Sequence, residues 1–183
     1  MFIQTETTPN PATLKFLPGL TVMETGTADF REAEKAKAES PLASRLFDID
    51  GIEAVFFGAD FITLTKAEAK EWYLLKPAIL GVIMEHFTAG RPVLSAPRDE
   101  TQNPEDDDEI VVQIKDLLET RVRPFVAQDG GDIVYRGFED GVVLLTMQGA
   151  CAGCPSSTAT LKLGIENMLR HYIPEVLEVR AVG

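Results

Sequence analysis

Between Arg98 and Glu109 the chain reads Arg-Asp-Glu-Thr-Gln-Asn-Pro-Glu-Asp-Asp-Asp-Glu, seven acidic residues against one arginine. That run carries −6, half of the formal charge of −12, and holds no large apolar side chain. Such a stretch cannot bury enough surface to offset the entropy lost on ordering it. The 183 residues are therefore expected to fold as two units, 1–94 and 110–183, joined by an acidic flexible linker over 95–109. The last acids of the run sit where negative charge favours the start of the next helix. Outside the linker both parts are only mildly acidic.

The composition is that of an ordinary globular fold, 45% hydrophobic and 25% charged. The acidic balance argues against nucleic acid as a partner, because phosphate binding needs a basic surface. No apolar run approaches the roughly 20 residues of a membrane span. The start, Met1-Phe-Ile-Gln-Thr-Glu6, lacks the basic residues and apolar core of a leader. The expectation is a bacterial-type cytoplasmic chain, with a mature mitochondrial form as the alternative.

The first unit reads as α+β. Strands are expected at Phe2–Thr5 and Thr13–Leu17 around the turn Thr8-Pro-Asn-Pro11. Asp29 could cap a helix through Phe30–Glu39, but the Ala, Glu and Lys there favour a loosely packed surface helix or loop. A firmer helix starts at Ser40-Pro41, since Ser is a good N-cap and Pro suits the first helical position. Ile52–Phe57 and Phe61–Lys66 form a hairpin about Gly58-Ala-Asp60, and a helix runs from Trp72 to about Ala89. Pro77 is best placed in its first turn. Trp72 reads as a packing residue and His86 as a helix-surface or core-edge histidine, and no catalytic constellation is visible.

The second unit reads as α-β-β-α-β. Val111, Ile114, Leu118, Val122 and Phe125 share one helical face, which Pro124 should kink or end. Asp129-Gly-Gly-Asp132 reads as a turn. Asp132–Phe138 and Val142–Met147 pair about Glu139-Asp-Gly141. A helix capped by Ser156 or Ser157 follows, with Leu161, Ile165, Met168, Leu169 and Tyr172 inward, then a strand over Val176–Val182. Gly164 within that helix suggests close packing.

Between the apolar strand and the last helix lies Gly149-Ala-Cys151-Ala-Gly-Cys154-Pro-Ser-Ser157, with both cysteines of the chain. Helix-start N–H groups have no intrahelical partner and favour a thiolate, so Cys151 and Cys154 are candidate metal ligands or nucleophiles. A soft metal centre wants four ligands. The chain offers two thiols, and its histidines, His86 and His171, lie far along the sequence. Either the pair works as a dithiol/disulfide couple, or two chains share one centre. An inert buried pair fits poorly with the surrounding Gly, Pro and Ser.

In Asp129-Gly-Gly-Asp132, Gln148-Gly149 and Cys151-Ala-Gly-Cys154-Pro-Ser-Ser157 the chain resembles the C-terminal domain of the Nfu-type iron–sulfur cluster scaffolds. Thr8-Pro-Asn-Pro11 with Leu14-Lys-Phe16, Ser40-Pro-Leu-Ala43, and Phe56-Phe-Gly58 with Asp60-Phe-Ile-Thr63 resemble the Nfu N-terminal domain. The resemblance implies a non-enzymatic carrier of a [4Fe–4S] cluster held by Cys151 and Cys154 of each of two subunits. It also implies an upstream assembly scaffold and apo iron–sulfur acceptors as partners, with the first domain serving contact or delivery. A thioredoxin-like thiol–disulfide oxidoreductase and a zinc-bridged structural dimer are the competing classes.

Overall fold

A computed structural model describes residues 2–24, 26–95, 108–150 and 155–182, without the side chains of 155–158. The chain is α+β and divides into two compact units, Met1–Asp99 and Glu100–Gly183. Most of the acidic run lies outside the described residues.

In the first unit, strands β1 (Gln4–Thr7), β2 (Thr13–Leu17), β3 (Ala28–Phe30), β4 (Ile52–Phe57) and β5 (Ile62–Lys66) form an antiparallel sheet ordered β1-β2-β5-β4-β3. Helices α1 (Ala33–Glu39), α2 (Pro41–Phe47) and α3 (Trp72–Thr88) complete it. Leu14, Phe16, Phe30, Val55, Phe57, Ile62 and Leu64 form the core with Leu42, Leu46, Leu75, Ile79 and Ile83. The alternation of β2 and β5 fixes which side chains enter that core.

Three expectations for this unit need correction. The first strand is displaced two residues, leaving Phe2 80% exposed. The turn explains the shift. Asn10 Oδ1 accepts from the Ala12 amide at 3.0 Å and the Asn10 carbonyl accepts from the Thr13 amide at 3.0 Å, so pairing runs up to Thr7 opposite Leu14. Asp29 caps no helix. Ala28–Phe30 is a short edge strand beside Phe57–Val55, drawn there by burial of Ala28 and Phe30, and the helix starts at Ala33. Pro77 lies just beyond the first turn of α3, yet the helix continues to Thr88. Its missing N–H leaves the carbonyl of the exposed Tyr73 without its usual helical donor.

Ser40 caps α2 as expected: its Oγ accepts from the Ala43 amide at 3.0 Å and donates to the Val93 carbonyl. His86, buried on α3, has Nε2 3.0 Å from the Pro92 carbonyl, which identifies Nε2 as the protonated nitrogen. Burial first, then the charges of Arg45 and Arg91, pushes its pKa below the ordinary value.

The second unit comprises α4 (Glu109–Leu117), a π-helical turn (Leu118–Val122), α5 (Arg123–Gln128), β6 (Gly131–Glu139), β7 (Val142–Gly149), α6 (Pro155–Tyr172) and β8 (Glu178–Ala181). β6 and β7 pair antiparallel through the Asp140-Gly141 turn, where both residues have positive φ, 50° and 79°. This is the type I′ geometry that Asp-Gly favours. β7 and β8 pair in parallel, so β7-α6-β8 is a βαβ unit, a connection not anticipated from sequence.

The π turn accounts for the largest departure here. Ile114, Leu118, Val122 and Val126 are buried and spaced strictly by four. On a straight α-helix of about 100° per residue that row drifts by about 120° over its length. The extra residue of a π turn removes most of the drift, and the Arg123 amide reaches the Leu118 carbonyl, five residues back. Val126 thereby takes the inward position expected of Phe125, which is 60% exposed. Pro124 lies at the start of α5 and does not end the helical run. The last helix begins at Pro155, so Ser156 and Ser157 lie inside its first turn instead of at its cap. Among its inward residues Ile165 and Leu169 are buried, whereas Tyr172 is exposed and Ile173 takes its place. The close packing expected at Gly164 is absent among the described residues, since a Cβ added there would meet nothing within 4 Å.

Val126→Ala should destabilise the second unit by about 2 kcal/mol and Phe125→Ala by about 0.5 kcal/mol or less. Denaturant midpoints check this; the reverse order would remove the π-turn phase. For His86 the proton is bound more weakly in the folded state, so unfolding takes up protons as the pH falls. Its contribution is present above about 6.5 and lost as the pH drops through the lowered folded value. His86→Gln should flatten that part of the stability–pH curve of the first unit; an unchanged slope would contradict it.

Candidate functional site

The strand β7 points Val143, Leu145 and Met147 into the core of the second unit and ends at Gly149. Gly149 has φ +64° and pairs directly with Gly131 across the hairpin. The next residue, Ala150, is buried and donates its amide to the Gly130 carbonyl at 3.1 Å. Gly130, with φ +79°, closes the turn between α5 and β6. The exit of β7 is thus tied to the entry of β6 through the backbone, with two facing glycines at the junction.

Cys151 and Cys154 lie outside the described residues. What is described is the residue on either side of them: the tethered Ala150 and the first residue of α6, Pro155. Proline suits a first helical position, where its missing N–H leaves no bond unmade. The two cysteines thus fall in sequence between the carboxyl end of a strand and the amino end of an 18-residue helix, whose orphan N–H groups favour negative charge.

Asp132 stands beside this junction, paired in register with Gln148. It is buried, and its carboxylate takes a two-pronged contact from Arg123: Nε to Oδ1 and Nη2 to Oδ2, both 2.9 Å. A fork of this kind is the strong form of a charged hydrogen bond. Asp132 holds the Arg123 guanidinium still further toward its charged form, with a smaller contribution from Glu119 at 2.6 Å. Arg123 directly follows the π turn, so the same local widening that buries Val126 sets the phase of this side chain. The sequence reading assigns Asp132 to turn chemistry; the structure makes it the second residue of β6 and a buried ion-pair partner. Asp129 is the residue that ends α5. The available signal was an Asp opening an apolar strand, a place where burial demands a cation.

The two histidines lie on separate helices, one in each unit. His171 is at the far end of α6, about 24 Å from Pro155 along the helix, with its ring 5.1 Å from that of Tyr172. His86 belongs to the first unit, with Nε2 engaged by Pro92. Among the described residues no group of three or more His, Cys, Asp or Glu side chains is arranged to hold a metal ion.

This two-unit α+β chain, with both of its cysteines between β7 and α6 in sequence, matches two family descriptions. Residues 3–90 match "Scaffold protein Nfu/NifU N terminal" and residues 114–180 match "NifU-like domain". The chain belongs to the Nfu family. It is 56% identical over 185 aligned positions to "NFU1 iron-sulfur cluster scaffold homolog, mitochondrial" of Drosophila ananassae, with all of this chain and 64% of that protein covered. The Drosophila virilis protein of the same description is 55% identical, with all of this chain and 62% of that protein covered. The chain therefore spans somewhat less than two-thirds of these relatives. A solution structure of a "NifU-like protein from Saccharomyces cerevisiae" aligns with 52% of this chain and 86% of its own, at 28% identity and TM-score 0.47.

The relatives correct one expectation. The cytoplasmic assignment rested on the lack of a leader at Met1, and these relatives are described as mitochondrial. The first residues of a chain that spans only part of its relatives' length carry no information on location.

Asp132→Asn should destabilise the second unit by about 2–4 kcal/mol, because it removes the buried half of the ion pair and leaves Arg123 only the exposed Glu119. Glu119→Gln, an exposed partner of the same arginine, should cost about 0.5 kcal/mol or less. Chemical denaturation followed by circular dichroism separates them, and equal effects would remove the fork's special weight.

Proposed function

We propose that the chain is a scaffold and carrier of iron–sulfur clusters, with Cys151 and Cys154 as its ligands to the cargo. One observation carries the reading: the whole thiol complement of the chain is a single Cys-x-x-Cys between a strand end and a helix start. A [4Fe–4S] cluster takes four thiolates. Two chains, each giving the same pair of cysteines about a two-fold axis, supply them. The description of the relatives as iron–sulfur cluster scaffolds supports the same role.

The chemistry asks little of the protein beyond placement. The thiols must be deprotonated to bind iron, and the amino end of α6 favours that form. Hand-over proceeds by ligand exchange. A thiol of an apo acceptor loses its proton and bonds to an iron, the Fe–S bond to one carrier cysteine breaks, and that thiolate takes up a proton. Iron and sulfide keep their oxidation states, so no electron donor is consumed. Each exchange leaves the cluster held by the remaining ligands. Donors divided between two separable chains make the last release easy. The Arg123–Asp132 fork and the Ala150–Gly130 bond hold the loop's root still while its ligands exchange.

Anaerobic reconstitution with iron and sulfide should give a cluster whose Mössbauer spectrum is that of [4Fe–4S], and which moves to an apo acceptor. Cys151→Ser and Cys154→Ser should each abolish the bound cluster and leave the folded circular dichroism spectrum intact. A colourless protein with disulfide reductase activity, or a zinc centre that resists transfer, would contradict the proposal.

A further inference from the structure

The helix α3 carries large apolar side chains on its outward side as well as on its core side. Leu75, Ile79 and Ile83 face the core, while the opposite side carries Tyr73, Leu74, Pro77, Ala78, Gly81 and Met84. No charge falls among those six. Tyr73 is 71%, Leu74 65% and Met84 40% exposed. An apolar outward side on a helix normally has a partner, and among the described residues this one has none over Tyr73, Leu74 and Met84. The bare stripe has large side chains at its ends and small ones in its middle. A Cβ placed on Gly81 meets nothing within 4 Å, so a second helix could come close there. From Tyr73 to Met84 the stripe is about 16 Å long, three helical turns.

The charges around the stripe select its occupant. Two exposed carboxylates bracket it, Glu71 at the residue before the helix and Glu85 beside Met84. Glu85 accepts from Arg45 Nη2 at 2.9 Å and still keeps 68% of its side chain exposed. Lys76, the lysine of α3, is half-buried on the flank nearer the core. A second copy fits badly. Antiparallel packing of two α3 helices about their midpoints brings Glu71 of one toward Glu85 of the other at both ends, and parallel packing sets Glu85 against itself. Like charges at such contacts are unfavourable, and each chain adds a further −12. The geometry points to the outer face of α3 as the docking site for an amphipathic helix of a partner protein, about three turns long, with its apolar face flanked by basic residues. This surface belongs to the first unit and does not depend on whether Cys151 and Cys154 carry a cluster.

The test uses the full chain, labelled for amide NMR, and two synthetic helical peptides. Both carry leucines at helical i, i+3, i+4, i+7 spacing; one has lysines at each end and the other glutamates. Binding of the lysine peptide should shift amides concentrated at Tyr73–Met84 and should weaken by about tenfold in Leu74→Ser or Met84→Ser, the loss expected for one truncated apolar anchor. Both positions are exposed, so either variant keeps the fold, and each checks the other. The glutamate peptide should bind at least about tenfold more weakly than the lysine peptide. Shifts centred elsewhere, unchanged affinity in both variants, equal binding of the two peptides, or no binding at all would each overturn the assignment. So would a dimer of the chain, detected by sizing, that Leu74→Ser disperses.

Discussion

The buried ion pair between Asp132 and Arg123 is the constraint on which the second unit turns. A carboxylate as buried as that of Asp132 stays charged inside a small fold only beside a counter-charge, which the Arg123 fork supplies. The pair joins the start of β6 to the first residue of α5, and Ala150 hangs from Gly130, two residues before that carboxylate. The point at which the chain leaves for the cysteine loop is therefore set by a contact that contains no cysteine. The π turn belongs to the same arrangement. By adding one residue to the helical register it places Leu118, Val122 and Val126 on the core and Arg123 against Asp132. One local irregularity thus serves both packing and electrostatics.

Much of the fold was legible because it is written locally. Ser40-Pro41 marks a helix start by its own hydrogen-bonding chemistry, and Asp140-Gly141 marks a tight hairpin by the φ values it tolerates. Runs such as Ile52–Phe57 and Val142–Gly149 announce strands by composition. What was not legible depends on distant partners. Ala28–Phe30 is a strand only because β4 lies beside it, and three residues carry no readable period. Phe125 fits the α-helical pattern in sequence, and only the π turn moves it outward. Pro77 marks a helix start in sequence, yet α3 accommodates it in its second turn. The junction between β7 and α6 was visible from the apolar strand and the helical run on either side of Cys151 and Cys154. The role of Asp132 was not, because its partner is nine residues away across a turn.

The two units divide their chemistry unequally. The first has a five-stranded sheet, a large aromatic and aliphatic core, and a buried neutral histidine that braces the segment after α3. Its chemistry ends at packing, and its unusual feature is an apolar helix face turned outward. The second, with three strands, holds every thiol the chain has.

Half a ligand set per chain is the central claim, and counting tests it most directly. Native mass spectrometry of the anaerobically loaded protein reports chains, iron and sulfide in one measurement. The prediction is two chains with one [4Fe–4S] cluster, reverting to protein without cluster when either Cys151 or Cys154 is replaced by serine. A single chain carrying the intact cluster, with no second copy and no added small thiol, would contradict it.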